Sequence, residues 1–327
     1  MKVGIIGTGT MGQIHTKNLS SIPGIKISAI FSSQEEEAAQ MAATYHAEHI
    51  RSKDDLFNRT QLDIVFVCTP TPSHAEYALP FIEAGKHVFL EKPIARTLGE
   101  GQQIIQATQR ATGKFFVGHV VRFSHDYVHI KKLMDDGMVG KVGVIRTDRR
   151  ARFPRGIDNW FSDSEKSGGV ILDMIIHDID YLRWCFGEVK QVYANNLMYR
   201  SHKNKDYALI IMRFKNGIIA HLEGSWTYEG EFHTAIEIAG DKGLINFNSL
   251  NTSPINLFKN RDVNNQERVA VPKPPVKYDP YFLEDQYFID CIRKNVTPCI
   301  GAQDGYNALS IALAALESAQ TGKLVKM

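Results

Sequence analysis

The chain is 327 residues long, with 43% hydrophobic and 23% charged residues and a formal net charge of +2. That length exceeds a typical single core, so two domains are expected. The near-neutral balance gives no basis for a nucleic-acid or membrane partner, and no apolar run reaches transmembrane length. Four cysteines (Cys68, Cys185, Cys291, Cys299) show no metal or redox spacing and read as reduced thiols; no metal site is expected. The sequence opens directly on a strand pattern without signal-peptide architecture, which points to a cytoplasmic protein.

The first third alternates strand and helix. "VGIIG" (Val3–Gly7), "IKISAIF" (Ile25–Phe31), "DIVFVCT" (Asp63–Thr69), "HVFLEK" (His87–Lys92) and "KFFVGH" (Lys114–His119) read as buried strands. Helical patterns between them, "SHAEYALPFIEAG" and "TLGEGQQIIQATQRATG", each end in a glycine as a C-cap would. Near-continuous apolar strands in β-α repeats imply a parallel sheet covered on both faces.

Three stretches at the strand ends carry chemistry. "GTGTMG" spaces Gly7, Gly9 and Gly12 as G-x-G-x-x-G, with Thr8, Thr10 and Met11 between them, after a strand and opening a helix. A tight strand–helix turn would account for the glycines alone, but their place in the first βαβ unit favours a dinucleotide. At the end of the second strand, Ser32 and Ser33 stand where an acid would hold the adenosine ribose, and no Arg stands beside them for a 2′-phosphate. NAD versus NADP is therefore open. "CTPTPSH" puts Thr69, Pro70, Thr71 and His74 on the ligand-binding edge; a capped turn with Ser73 as N-cap explains it equally well. "EKPIA" puts Glu91 and Lys92 on the same edge, and a Lys ending a buried strand is costly unless it meets a partner.

After about residue 122 the pattern changes. A helix ("YVHIKKLMDDG") and a strand ("KVGVIRTDRRARF") precede "GGVILDMIIHDID", Gly168–Asp180. At about 100° per residue Asp173 and His177 share one side of a helix, with Asp180 beside them and Trp184 on the same stripe. Ile171, Leu172, Ile175, Ile179 and Leu182 cover the other side. A hydrogen-bonded core His–Asp pair and an active site explain this helix equally well. From Val189 to Phe247 strands follow in series, with hairpins at "KNG" and "GDKG". A Pro-rich loop at Val271–Pro275 and two helices ("YFLEDQYFIDCIRKN", "NALSIALAALESAQTG") finish the chain. The fold expected is α/β: an N-terminal Rossmann parallel sheet (1–122), then an α+β substrate-binding and oligomerisation domain (123–327) on a mostly antiparallel sheet.

"GIIGTGTMG", "CTPTPSH", "FLEKPIA" and "SGGVILDMIIHDID", in that order, resemble the Gfo/Idh/MocA family of sugar and cyclitol oxidoreductases, which includes inositol dehydrogenases. The resemblance implies an NAD(P)-dependent dehydrogenase acting on a secondary alcohol of a polyol, cyclitol or sugar, with Lys92, Asp173 and His177 as the catalytic set. His177 would be the base, Asp173 would orient it or bind substrate, and Lys92 would stabilise developing alkoxide character. Two departures stand out: Ile175 where the family often has Gly, and "GHVVRF" in place of the more frequent Asn-Arg-Arg version.

Among Arg122, Arg152, Trp160 and His119, the substrate contacts favoured are Arg122 and Trp160. Asp180 either binds substrate or pairs with Arg183. Some relatives of the family hydrolyse glycosides with tightly bound NAD, and others are non-catalytic sugar sensors; retention of Lys92, Asp173 and His177 together argues against a sensor. An apolar face on the antiparallel sheet would suggest a homo-oligomer, a dimer or tetramer.

Overall fold

A computed structural model describes residues 1–58, 61–198, 206–251 and 279–327. The chain divides into two compact units, Met1–Phe123 with Pro274–Leu309, and Ser124–Lys273 with Ser310–Met327. The single cut expected from sequence differs from this, because residues 274–309 are grouped with the N-terminal segment. The Pro-rich loop at Val271–Pro275 lies outside the described residues.

The first unit runs β1 (Lys2–Ile6), α1 (Thr10–Ser20), β2 (Lys26–Phe31), α2 (Glu35–Thr44), β3 (Glu48–Ile50), α3 (Lys53–Phe57), β4 (Ile64–Val67), α4 (His74–Glu83), β5 (His87–Glu91), α5 (Leu98–Arg110) and β6 (Phe115–Gly118). All the pairings are parallel, in the order β3-β2-β1-β4-β5-β6. Every residue of β4 and β6 is buried, as a sheet covered on both faces requires. The order reverses between β1 and β4, and in open α/β sheets ligands bind outside the carboxyl ends of the strands at such a switch point.

Gly85 takes φ +70° after α4, as a C-capping glycine does, but α5 stops at Arg110 with Ala111 extended. Gly113 is therefore not its cap. A Cβ there would lie 2.0 Å from the Lys86 carbonyl oxygen, so that glycine serves a close backbone approach. The strand β3, only three residues long, carries no pattern that sequence reading could catch.

The second unit holds α6 (His125–Asp135), β7 (Val142–Arg150), α7 (Ser164–Ser167), α8 (Ile176–Phe186), β8 (Val189–Met198), β9 (Asp206–Phe214), β10 (Ile219–Ser225), β11 (His233–Gly240) and β12 (Leu244–Asn248). Late in the chain come α9 (Pro280–Arg293), grouped with the first unit, then α10 (Ala302–Thr321), which the division at Leu309 cuts, and β13 (Val325–Lys326) of the second. The second sheet runs β12-β11-β7-β10-β9-β8-β13, antiparallel except where β10 pairs β7. Both hairpins fall where expected, after β9 and after β11.

One face of this sheet packs against helix. Arg149 of β7 holds Asp178 of α8 through two 2.8 Å bonds, both side chains buried. Ser318 of α10 accepts the Ala194 N–H at 2.9 Å. On the other face Leu209 and Ile211 of β9 and Leu197 of β8 remain exposed.

Candidate active site

The segment Ile171–Ile175 departs from the expected α-helix: it is a π-helical turn that leads into α8. Such turns are rare and often mark functional positions. Gly168 and Gly169 both take positive φ ahead of it, +68° and +63°. Asp206 accepts the Val170 N–H at 2.7 Å, and a Cβ on Gly169 would lie 2.4 Å from the same carboxylate. Glycine is needed there for both conformation and space. From Ser167 to Leu182 every residue is buried except Asp173 and His177, which are half-buried. Asp180 is buried and does not share that opening, and Trp184 packs edge-on against Tyr181 with the Lys131 ammonium 4.9 Å from its ring. Arg183 pairs with Glu188 at 2.6 Å. The unexpected Ile175 has a counterpart in β10, where a Cβ on Gly224 would lie 2.4 Å from Ile175 Cγ1.

In the first unit the β1–α1 turn has the shape its glycines imply. Gly7 takes φ +100°, and a Cβ there would lie 2.5 Å from the Cys68 carbonyl oxygen at the end of β4. A Cβ on Gly12 would strike the Gly7 carbonyl oxygen at 2.0 Å. Among the described residues, nothing apart from its chain neighbours lies within 4 Å of a Cβ placed on Gly9. Gly9 is the N-cap of α1 and offers no capping side chain, and the first turn holds no acid. The helix thus presents unneutralised N–H groups to open space, which suits an anion. Thr10 and Met11 border this opening half-buried, and the adjacent β4 loop carries Thr69, whose buried hydroxyl has no hydrogen-bond partner among the described residues. Open space beside Gly9 and an unsatisfied hydroxyl across the switch point fit a pyrophosphate-bearing dinucleotide.

The neighbouring residues are more committed than the sequence suggested. Thr8 donates to Ser32 Oγ at 3.0 Å, and its hydroxyl also lies 3.4 Å from Glu37 Oε2. Ser32 Oγ accepts the Gln34 N–H as well, so Ser32 is buried and engaged while Ser33 is exposed. Glu37 belongs to the acidic first turn of α2, as expected, yet also reaches back to the cofactor loop. Pro70 is half-buried and Thr71 buried at the start of the short turn before α4. His74 is buried, with its ring nitrogens 2.6 Å from the Pro93 carbonyl oxygen and 2.9 Å from that of Thr69. It ties the β4 loop to the β5 loop, and burial lowers its pKa.

Lys92 follows β5 half-buried, joined to Pro93 by a cis peptide, and its backbone N–H donates to Glu91 Oε2 at 3.0 Å. Sequence reasoning missed the group behind Glu91. His15 of α1 is fully buried, with Nε2 2.8 Å from Glu91 Oε1 and Nδ1 2.7 Å from Asp285 Oδ1 of α9. Asn18 donates to the other Asp285 oxygen at 3.2 Å. Glu284 is buried alongside, its carboxylate without a hydrogen-bond partner among the described residues.

Arg122, favoured for substrate, is buried after β6 with a guanidinium nitrogen 3.4 Å from Asp304 of α10, whose other oxygen accepts the Gly301 N–H. Trp160 is half-buried and packs against Phe161 with ring centroids 4.1 Å apart and the planes tilted by 30°. Arg152 is exposed and donates to the Glu229 carbonyl oxygen, and His119 is buried. All four cysteines are free thiols. Among the described residues no helix is long and apolar enough to cross a membrane.

Comparison with known proteins bears on the whole chain. Residues 1–119 match the oxidoreductase family with an NAD-binding Rossmann fold, and residues 127–246 match the GFO/IDH/MocA C-terminal domain. A myo-inositol 2-dehydrogenase from Thermotoga maritima is 28% identical, covering 100% of this chain and 98% of that protein. An uncharacterized oxidoreductase, YrbE of Bacillus subtilis, is 32% identical over 99% of this chain and 96% of its own length. The solved scyllo-inositol dehydrogenase from Lactobacillus casei, with bound NAD(H) and scyllo-inositol, superposes with a TM-score of 0.81. It is 27% identical and covers 100% of this chain and 98% of its own. With both halves of the chain matched in order and a relative above 30% identity over nearly its full length, the chain belongs to the GFO/IDH/MocA family of NAD-binding oxidoreductases.

Proposed function

We propose that the protein is an NAD-dependent dehydrogenase that oxidises a secondary alcohol of a cyclitol, polyol or sugar. The observation that carries this reading is the run Ser167–Leu182, in which only Asp173 and His177 reach the surface. A histidine serving the core would be buried with its neighbours. Here the two titratable groups on one side of the segment are the two left open, beside a backbone turn of unusual geometry.

In this reading Gly7, Thr8, Gly9, Thr10, Met11 and Gly12 hold the pyrophosphate through backbone N–H groups and the start of α1. Ser32 and Ser33 lie towards the adenosine ribose, and Thr69, Pro70 and Thr71 line the next loop. His74 and Glu91 hold those loops in place. When bound, the dinucleotide supplies the two-electron acceptor for the alcohol carbon. His177 removes the hydroxyl proton, a task suited to imidazole because its ordinary pKa lies near working pH. Asp173 orients that ring. The Lys92 ammonium holds the alcohol oxygen and stabilises the negative charge that grows on it. Trp160 offers an apolar wall to the substrate ring, while Arg122, paired with Asp304, shapes the loop after β6. The protein works as a cytoplasmic homo-oligomer, dimer or tetramer, through the open face that carries Leu197, Leu209 and Ile211.

The test is a panel of inositols, linear polyols and sugars, each incubated with NAD and with NADP while reduced cofactor is followed by absorbance. Steady reduction of NAD by a cyclitol or sugar is expected. Glycoside cleavage without net cofactor turnover, or binding without any reduction across the panel, would overturn the reading.

A further inference from the structure

His15, Glu91, Glu284 and Asp285 gather one imidazole and three carboxyl groups in the interior of the first unit, against the rings of Phe66 and Phe89. Burying such groups is expensive, and replacing a buried ion pair with apolar side chains often leaves stability unchanged or improved. Packing alone therefore gives no reason for the cluster. What it does geometrically is specific. His15 spans Asp285 and Glu91, and the second Glu91 oxygen accepts the Lys92 backbone N–H. A continuous chain of hydrogen bonds thus runs from Asp285 on α9, through α1, to the backbone of the residue placed at the reacting oxygen.

From this chain we infer that His15 is a positioning residue, fixing Lys92 through Glu91. The inference rests on the role proposed for Lys92. Neutral imidazole has one N–H, whereas the two carboxylates flanking His15 at 2.7 and 2.8 Å call for two donors. Burial alone would push its pKa down, but the charges and hydrogen bonds of Asp285 and Glu91 outweigh burial and hold it well above 6.5. Burial likewise pushes Glu91 up, and the His15 hydrogen bond and charge outweigh that and bring it below its ordinary value. Glu91 is therefore an ionised, two-sided acceptor held between a cation and a backbone amide, the arrangement that gives the strongest and most directional hydrogen bonds. Space is kept for it as well, since a Cβ on Gly118 would lie 3.3 Å from Glu91 Oε1. His15, Glu91 and Glu284 also place ligand atoms within 4.8 Å of one another, as a metal site would. Both ring nitrogens of His15 already face carboxylate oxygens within hydrogen-bond distance, at 2.7 and 2.8 Å, so the cluster is read as a hydrogen-bonded anchor.

The test compares wild type with His15→Gln and with Asp285→Asn, the milder change should the first fail to fold. Amide hydrogen exchange over the segment 90–95 is followed without cofactor or substrate, and turnover is measured in wild-type and Lys92→Ala backgrounds. Exchange at Lys92 is expected to quicken at least tenfold while β4 stays protected. Turnover should fall roughly tenfold with the Kd for NADH within about threefold, and His15→Gln should cost nothing further once Lys92 is alanine. Unchanged exchange at Lys92, or a loss of turnover of equal size in both backgrounds, would overturn the inference. A wild-type protein inert towards every alcohol tested would sink the proposed function instead, and the exchange measurement would still decide whether His15 holds Lys92.

Discussion

Ile175 of the π-helical turn and Gly224 of β10 occupy complementary space: a methyl group on Gly224 would lie 2.4 Å from Ile175 Cγ1 and 3.4 Å from Val170 Cγ2. The strand gives up a side chain so that an isoleucine can sit on the turn carrying Asp173. Gly224→Ala should therefore push the turn outward. Overpacking of this kind costs about 1–3 kcal/mol, read from the urea midpoint. Turnover should fall more than stability alone explains, because Asp173 moves with the turn. Gly224→Ala combined with Ile175→Ala should recover part of both losses; failure to recover either would show that the contact is incidental.

The proton-transfer roles give a direct kinetic expectation. His177→Ala should lower turnover by roughly a hundredfold or more with little change in cofactor affinity. Lys92→Ala should remove most turnover, and Lys92→Arg should also be poor because a planar fork does not replace a compact ammonium. A His177→Ala protein with near-normal turnover would rule out His177 as the base.

How much of this was legible beforehand follows from which forces act locally. Strands such as "DIVFVCT" announce themselves because a sheet buried on both faces needs unbroken apolar runs. The slot of Asp173 and His177 was readable as the polar break in an apolar helix. The π turn was not, because a 100° periodicity assumes the 3.6-residue turn that the backbone abandons at Ile171–Ile175. Asp180 looked like part of the slot for the same reason. The His15–Asp285 pair spans 270 residues, and neither residue carries a local signal of the other. The apolar face of α9 shows that the helix is covered without naming the unit that covers it, which is why the reading of residues 274–309 with the second domain differs from their grouping with the first unit.

Arg149 and Asp178 form a buried two-bond pair that ties β7 to α8 one residue beyond His177. Asp178→Ala removes both of these charged bonds from a guanidinium buried beside Tyr127 and Phe232 and should cost about 3–5 kcal/mol. The double change Arg149→Met with Asp178→Leu should restore most of that stability. Denaturant midpoints of the three proteins decide the matter: a single variant as stable as wild type would mean that water reaches the pair.

Glu284 makes a prediction about pH. Burial, aided by the nearby Glu91 charge, raises its pKa well above 4.5, so the folded protein keeps a proton there that the unfolded chain releases. Between those two values the native state binds more protons than the unfolded state, and this residue's contribution to stability declines as pH rises. Glu284→Gln removes the titration. The variant should gain on wild type as pH climbs from 4.5, by about 1.4 kcal/mol per unit while the window lasts. His15, Glu91 and Asp285 titrate in both proteins, so the difference between the two urea-midpoint curves reports Glu284 together with its charge interactions with those neighbours. A gap that stays constant with pH would show that Glu284 is ionised when folded.

The last prediction concerns cofactor choice. Ser32 stands where an acid is expected but is buried and hydrogen-bonded to Thr8 and Gln34, so it offers the ribose little. A carboxylate does come from farther along the chain, since Glu37 of α2 turns back to within 3.4 Å of the Thr8 hydroxyl inside the glycine loop. An acid at that place can accept from a ribose hydroxyl and repels a 2′-phosphate, whatever element supplies it. NAD should therefore bind more tightly than NADP by tenfold or more, about 1.4 kcal/mol. Glu37→Gln keeps the side-chain length and removes the charge, so it should improve NADP binding while leaving NAD within about threefold. The excess of NAD over NADP affinity should also shrink in high salt, because it rests partly on Coulomb repulsion that salt screens. Kd values for both cofactors in wild type and variant, at low and high salt, are the measurement. A ratio that Glu37→Gln leaves unchanged would place the selective contact elsewhere, with the exposed Ser33 the next residue to test.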